Sequence, residues 1–282
     1  MTNEQAAEQK YWKTGISRIE PEHIYIRGYD LEQLIGLPFA ATTFLQLRGR
    51  LPSPGEARVV DSILTSILDY GLEKAGTAAA RFIVSSNPNM QAGLATAILG
   101  AGEHSVAPEN AARFIQEQYS AFEESGSADM AEFAAGVVAD ASAKRYRIPG
   151  FGHPVFRGED PRAQKLKRIA VEAGIWEGPA KLYEAIHAEF VKNPKVAHFP
   201  INDVGMLAAL CVAMEFTPEE ATALAVIGTL PGVAAHITEE ITSGRLVRQV
   251  QRSEAKYDVP ELDLQADMAA AGWDVDTTQS GS

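Results

Sequence analysis

Cysteine is nearly absent from this chain: one residue, Cys211, among 282. A lone cysteine forms no internal disulfide, and no metal-ligand spacing surrounds it. Its neighbours in MLAALCVAM are apolar, so it reads as a small buried hydrophobe. Long apolar runs are missing too; none approaches the roughly 20 residues that span a bilayer. The opening MTNEQAAEQKYWK is polar and lacks the apolar core of a secretory leader. These absences predict a protein of the reducing cytoplasm with no membrane partner. Positive charge is scarce: 25 Lys and Arg stand against 37 Asp and Glu, a formal net charge of −12. Binding nucleic acid takes a concentrated basic face. Here the basic stretches are short islands, AKRYR at 143–147, RAQKLKR at 162–168 and RLVRQVQR at 245–252. Such islands suit a small anionic ligand, or are solvated helix faces, and nucleic acid is not expected. No Pro-, Gly- or Ser-rich linker divides the chain, and no internal repeat is visible.

What is present is an ordinary globular composition, 46% hydrophobic and 22% charged, on a chain long enough to bury a core. Residues 1–20 predict an arm or a short helix. HIYIRGYD at 23–30 reads as a short strand or hairpin ending at Gly28. From Leu31 the apolar spacing turns helical, broken at Pro38 and stopped at Gly49. Ser53-Pro54-Gly55-Glu56 opens the next helix with an N-cap, a proline at N1 and an early carboxylate. Residues 75–101 are Ala- and Gly-rich, with a break at Asn87-Pro88-Asn89, and small residues at that density let helices approach closely. Further helices are predicted from Pro108 and Ala128, then at about 161–174, 179–192, 202–215, 218–228 and 231–243. Ile148 to Pro154 holds too many breakers to be anything but a loop. The tail beyond Pro260 is acidic, and its end, TTQSGS, is expected to be disordered. The class is mainly α, and any second domain is an insertion between helices.

Six histidines are available, and two lie in loops rich in glycine or proline. His104 sits in GAGEHSVAPEN and His153 in RIPGFGHPVFRGEDPRA. Glycines on both sides of Phe151 allow backbone to come close to a ligand, and such loops hold catalytic groups. His23, His187, His198 and His236 read as structural, and no pair has the spacing of a zinc helix. Asp203 lies where a loop enters a strongly apolar helix, in HFPINDVGMLAAL. Two readings stay open: a first-turn carboxylate favoured by the helix dipole, or a half-buried general base of raised pKa.

Taken together these stretches resemble the citrate synthase superfamily. IYIRGYDLEQLIGLPFAATTFLQLRGRLPSPGE is similar to the family's early segment, GFGHPVFRGEDPRA to its signature loop and PINDVGMLAAL to its catalytic aspartate segment. LAVIGTLPGVAAHITEEI and GRLVRQVQRSEAKY resemble the next helix pair and the closing arginine segment. The five occur in the family's order from about residue 24 to residue 257. The resemblance implies a large helical domain, 1–105 with 216–282, and an inserted small helical domain, 106–215, that binds coenzyme A. It implies a homodimer that can assemble further. It also implies a catalytic trio of His104, His153 and Asp203 acting on a coenzyme A thioester, with no metal. Asp203 would move the proton at the thioester α-carbon, His104 would hold the thioester oxygen, and His153 would polarise the acceptor carbonyl or, in reverse, take the hydroxyl proton. Arg162 matches a carboxylate-binding arginine, and Arg248 one that reaches across the dimer interface. Arg157 and the Gly150-Phe151-Gly152 backbone are expected at the CoA phosphates and adenine, with Lys165 and Lys167 as further candidates.

Departures from the family pattern bear on the acceptor. The family's D-H-G reads Asp69-Tyr70-Gly71, and its G-R-T-x-G reads Gly228-Thr229-Leu230-Pro231-Gly232, so a histidine and an arginine of the dicarboxylate site are replaced by Tyr70 and Thr229. H-G-G-A-N-E reads His104-Ser105-Val106-Ala107-Pro108-Glu109. The chain is shorter than a typical citrate synthase and similar in size to stand-alone citryl-CoA lyases. The expectation is a lyase that cleaves a 3-hydroxyacyl-CoA to acetyl-CoA and a 2-oxo acid or related carbonyl compound. Alternatives are a condensing enzyme using a 2-oxo acid other than oxaloacetate, and a non-catalytic acyl-CoA-binding relative.

Overall fold

The structure, a computed structural model, describes residues 11–102 and 105–273. The expected trio member His104 and the TTQSGS end lie outside the described residues. The chain divides into two compact units, Met1–Leu246 and Val247–Ser282. Both expected domain boundaries, after 105 and after 215, fall within the first unit.

The first unit opens with a small antiparallel sheet of β1 (Ser17–Ile19), β2 (Ile24–Ile26) and β3 (Tyr29–Asp30), in that order. The hairpin was legible, but β1 replaces the expected arm or short helix: Ser17 to Ile19 find partners in Ile26 to Ile24. Helices follow: α1 (Leu31–Leu34), α2 (Phe39–Arg48), α3 (Pro54–Ser66), α4 (Ala75–Ser86), α5 (Met90–Leu99), α6 (Glu109–Ser125) and α7 (Met130–Ala143). After a long loop come α8 (Pro161–Glu172), α9 (Pro179–Phe190), α10 (Asp203–Ala213) and α11 (Pro218–Ser243). The second unit contains α12 (Leu264–Ala270). The fold is mainly α, as expected.

Helix starts follow from local chemistry. Ser53 with Glu56, and Thr217 with Glu220, form reciprocal capping boxes, each with a proline in the first turn. Glu220 also receives Arg48 Nη1 at 2.8 Å, tying α2 to the start of α11. At α2's end Gly49 takes a left-handed conformation (φ 74°), and its N–H returns to Leu45 O.

Two expectations about α11 are corrected. The two helices read at 218–228 and 231–243 are one continuous helix, with Pro231 inside it. Pro231 has no N–H to give, and the Gly232 N–H leaves the helix for Leu68 O at 3.1 Å. A Cβ on Gly232 would lie 2.1 Å from that oxygen, so the approach needs glycine. The same helix is, by length and composition alone, apolar enough to cross a membrane (mean hydropathy 1.5), contrary to the run-by-run reading. Thr229, Pro231 and His236 interrupt its apolar runs without lowering the average below that level. It packs against α3, α4, α5 and α6.

α10 is buried on nearly every side: Asp203 and every residue from Gly205 to Cys211 are inside. It packs on α6, α8 and α9. Cys211 is buried, as expected, and burial pushes its thiol above the usual range.

Candidate active site

The loop between α7 and α8 is stitched to the strand-like segment before α10. Phe151 forms an antiparallel bridge with Ile201, Gly152 N–H donates to Pro200 O at 2.8 Å, and Gly158 N–H donates to His198 O at 2.8 Å. Asn202 caps α10 through Gly205 N–H (2.9 Å), and its amide nitrogen donates to Gly152 O (2.8 Å). One side chain thus sets both the start of α10, where Asp203 is the first residue, and the loop that carries His153.

Gly150 has φ 83°, and a Cβ there would lie 2.3 Å from the Tyr183 hydroxyl and 2.6 Å from Gly205 Cα. Phe151 is buried against Tyr183, His187 and Phe190. Gly150 therefore permits close approach to the protein's own backbone at Gly205, and Gly152 to the Phe199 ring. None of Gly150, Phe151 and Gly152 lines the cavity described next. Arg157 does not line it either; its Nη1 donates to His153 O at 3.3 Å. Lys167 is paired with Glu184 and lies over Trp176, while Lys165 flanks a separate surface depression beside α3. Arg248 belongs to the second unit.

A cavity of about 600 Å³ is lined by Tyr70, Lys74, Val106, His153, Phe156, Arg162, Asp203 and Thr229, with Ile67, Leu207 and Ala225 among the apolar wall. Four expected residues on α3's exit, the long loop, α10 and α11 thus meet around one space, with Arg162 from the first turn of α8. Ser105 and Pro108, just beyond His104 in sequence, also line it. Val106 between them has φ 57°, a strained conformation for a β-branched residue.

Arg162 is the hub. Its Nε donates to Asp160 Oδ1 at 3.0 Å and its Nη2 to Asp160 Oδ2 at 2.7 Å, a two-pronged pair. Its Nη1 lies 3.1 Å from Asp203 Oδ2. Asp160, fully buried, also caps α8 through Arg162 N–H at 3.0 Å. The guanidinium carbon sits 5.1 Å from the Tyr70 ring centre and 5.5 Å from that of Phe156. Ligand atoms of His153, Asp160 and Asp203 fall within 4.8 Å of one another, the spacing of a cation site. The cation among them here is the guanidinium, which binds both carboxylates.

Burial pushes the Asp203 carboxyl up to about 6, against the pull of the Val204 and Asp203 N–H groups. Asp203 is at once a first-turn residue of α10 and a buried carboxyl of raised pKa, features that belong to both readings left open by sequence. His153 is held below the ordinary histidine range by burial, with Arg162 next in effect. Its Nδ1 accepts N–H bonds from Val155 and Phe156, each 3.0 Å. The neutral ring therefore carries its proton on Nε2, which faces Arg162 Nη2 at 3.2 Å. Two donors converge there, and the site asks for an acceptor oxygen. In that tautomer the lone pair of Nδ1 is spent on the backbone, and Nε2 serves as a donor.

Sequence reasoning missed Asp160, Phe156, Lys74 and Asn202. The Asp-Pro-Arg string marks Asp160 as a cap, and the Asn before Asp203 is a standard cap residue, but nothing local marks Lys74.

The architecture is that of a mainly α protein with a largely apolar cavity that carries acid–base groups at the start of a buried helix. The family described as citrate synthase, C-terminal domain, matches residues 36–250, and the chain belongs to that family. The solved structure of citryl-CoA lyase from Hydrogenobacter thermophilus is 30% identical, with a TM-score of 0.83 over 92% of this chain and 100% of that one. Citrate synthase 2 of Bacillus subtilis is 28% identical over 206 residues, 72% of this chain and 52% of that protein. The chain spans about half the length of curated relatives such as this one. ATP citrate lyase from Methanothrix soehngenii, solved with citrate and coenzyme A, shares the fold at 18% identity (TM-score 0.74 over 93% of this chain and 45% of that one).

Proposed function

We propose that this chain is an acyl-CoA carbon–carbon lyase of citryl-CoA lyase type, which cleaves a 3-hydroxyacyl-CoA to acetyl-CoA and a 2-oxo acid or related carbonyl compound. The observation that carries the reading is the buried Asp203 carboxyl, poised at about 6, beside the converging donors of His153 and Arg162. An acid–base group near neutrality and a preformed oxyanion seat are what chemistry at a thioester α-carbon requires.

In the cleavage direction the substrate hydroxyl gives up its proton to solvent, and the alkoxide sits on His153 Nε2–H and Arg162 Nη2–H. The bond between C2 and C3 breaks, C3 becomes a carbonyl, and the electron pair enters the thioester as an enolate. Asp203, entering protonated, delivers its proton to C2 and gives acetyl-CoA. His104 is proposed to hold the enolate oxygen. The coenzyme A thioester is substrate, the chain is proposed to work as a cytoplasmic homodimer, and no metal is called for where Arg162 bridges the two carboxylates.

A second reading is a condensing enzyme that joins acetyl-CoA to a 2-oxo acid other than oxaloacetate. Relatives named citrate synthase, such as that of Haloferax volcanii at 26% identity over 238 residues, favour it. Tyr70 and Thr229, where the family pattern carries histidine and arginine, weigh against oxaloacetate. Following free thiol and acetyl-CoA separately during turnover discriminates the two. Acetyl-CoA without thiol release supports the lyase, and stoichiometric free CoA the hydrolysing synthase.

A further inference from the structure

Lys74 is a cavity cation that no carboxylate pairs with among the described residues; its neighbour Glu73 also lines the cavity and is exposed. Lys74 lines the 600 Å³ cavity with Arg162, Asp203 and Thr229. Among the described residues its ammonium has no hydrogen bond or ion pair; its contact is the Tyr70 ring, 5.1 Å from Nζ to the ring centre. The neighbouring Asp69 acts on it through space, but its hydrogen bonds go to Gly71 N–H at 3.1 Å and His236 Nε2 at 3.1 Å. Arg162 lies on the same Tyr70 ring at 5.1 Å, but its charge is already answered by Asp160 and Asp203.

The position is also locally unfavourable. Lys74 is the N-cap of α4, where no side chain caps the helix. A cation at the positive end of a helix costs stability, and cap-forming residues are preferred there. One turn on, Thr77 is 1% exposed, and its hydroxyl has no partner. It lines a small recess that shares Lys74, Val106 and Thr229 with the main cavity. A half-buried ammonium and an uncapped helix start facing a cavity lack one thing, an anion. Rules of local stability are commonly broken where function needs it.

We propose that Lys74 fixes the carboxylate of the substrate's acid portion, the group on the carbon that becomes the carbonyl of the 2-oxo acid. Lys74 thereby selects acyl-CoA substrates that carry that carboxylate over otherwise identical ones that do not. This rests on the lyase or condensing reading above. Thr229 is too short to reach such a group with charge, and the lysine enters the same space from α4.

The test pairs two thioesters, a 3-carboxy-3-hydroxyacyl-CoA and its counterpart with methyl in place of that carboxylate, assayed with wild type, Lys74→Met and Lys74→Arg. Lys74→Met should raise KM for the carboxylate by about 10- to 100-fold and leave the methyl counterpart within about twofold. Lys74→Arg should restore part of the loss. An equal loss on both thioesters, or no loss on either, overturns the proposal. A second readout needs no turnover: pulse acetylation of the wild-type protein, with mass spectrometric quantification at Lys74. Oxaloacetate or citrate should slow labelling of Lys74, and unchanged labelling in saturating carboxylate overturns the proposal. If wild type turns over neither thioester while Lys74 is still protected, the reaction assignment fails and the carboxylate seat stands.

Discussion

His153 Nε2 and Arg162 Nη2 face each other 3.2 Å apart, and the two N–H groups that Nδ1 accepts leave the ring's hydrogen to Nε2. Nδ1 of the ring is committed to the N–H groups of Val155 and Phe156, so this pair is a seat for an oxygen anion. His153→Ala should therefore lower kcat by about 10²- to 10³-fold, the usual cost of one oxyanion donor. His153→Asn, which keeps a donor on a shorter arm, should retain more. Steady-state kinetics on a cleaved acyl-CoA measures both, and an unaffected kcat would remove His153 from the chemistry.

Asp203 sets opposite pH dependences for the two directions. Cleavage needs it protonated at the start, so kcat/KM should fall as pH rises through about 6; condensation needs it ionised, so kcat/KM should rise through the same value. Rates in both directions between pH 5 and 8 check this.

The same carboxyl carries a stability signature. Its pKa is raised from 3.8 to about 6 on folding, so the folded state holds the proton more tightly than the unfolded chain. The resulting cost is absent below about pH 4, grows between 4 and 6, and is full above 6. Asp203→Asn should then raise unfolding free energy at pH 7.5 by about 2–3 kcal/mol, at 1.36 kcal/mol per unit, and bring no gain at pH 4. Denaturant melts at the two pH values decide it.

Arg162 holds the fully buried Asp160 as well as Asp203. Arg162→Ala leaves a buried carboxylate without its partner and should cost about 3–5 kcal/mol. Asp160→Asn in that background should recover part of the loss, whereas Arg162→Lys should not restore activity, since an ammonium cannot form the two-pronged pair. Thermal melts of the single and double variants separate this coupling from a loss of packing.

Gly205→Ala places a Cβ 2.7 Å from Gly150 O and from the Tyr183 hydroxyl. It should cost about 1–3 kcal/mol and lower kcat too, because α10 and the His153 loop would separate. Normal activity in a folded Gly205→Ala would show that the joint does not position the site.

Much of this was legible in the chain. Capping boxes at Ser53 and Thr217 are short-range patterns, and the motifs bearing His153, Arg162, Asp203, Tyr70 and Thr229 point to residues that do meet around one cavity. What escaped depends on long-range contacts. Gly150 and Gly152 looked like room for a ligand, and sequence could not show that Gly150 also admits Gly205 backbone and Gly152 the Phe199 ring. Pro231 looked like a helix end, and the helix continues because Leu68 O, far away in sequence, takes the Gly232 N–H. Lys74 looked like any lysine before an alanine-rich helix until Tyr70 and Thr229 were found beside it.

The most direct measurement is cleavage of a 3-carboxy-3-hydroxyacyl-CoA panel in D2O by wild type and Asp203→Asn, with products read by mass spectrometry. Wild type should release acetyl-CoA bearing one deuterium in its methyl group, and Asp203→Asn should be slower by about 10³-fold or more while remaining folded. Undiminished cleavage by Asp203→Asn, or no cleavage by wild type together with no condensation of acetyl-CoA with any 2-oxo acid, would contradict Asp203-driven carbon–carbon chemistry at the thioester.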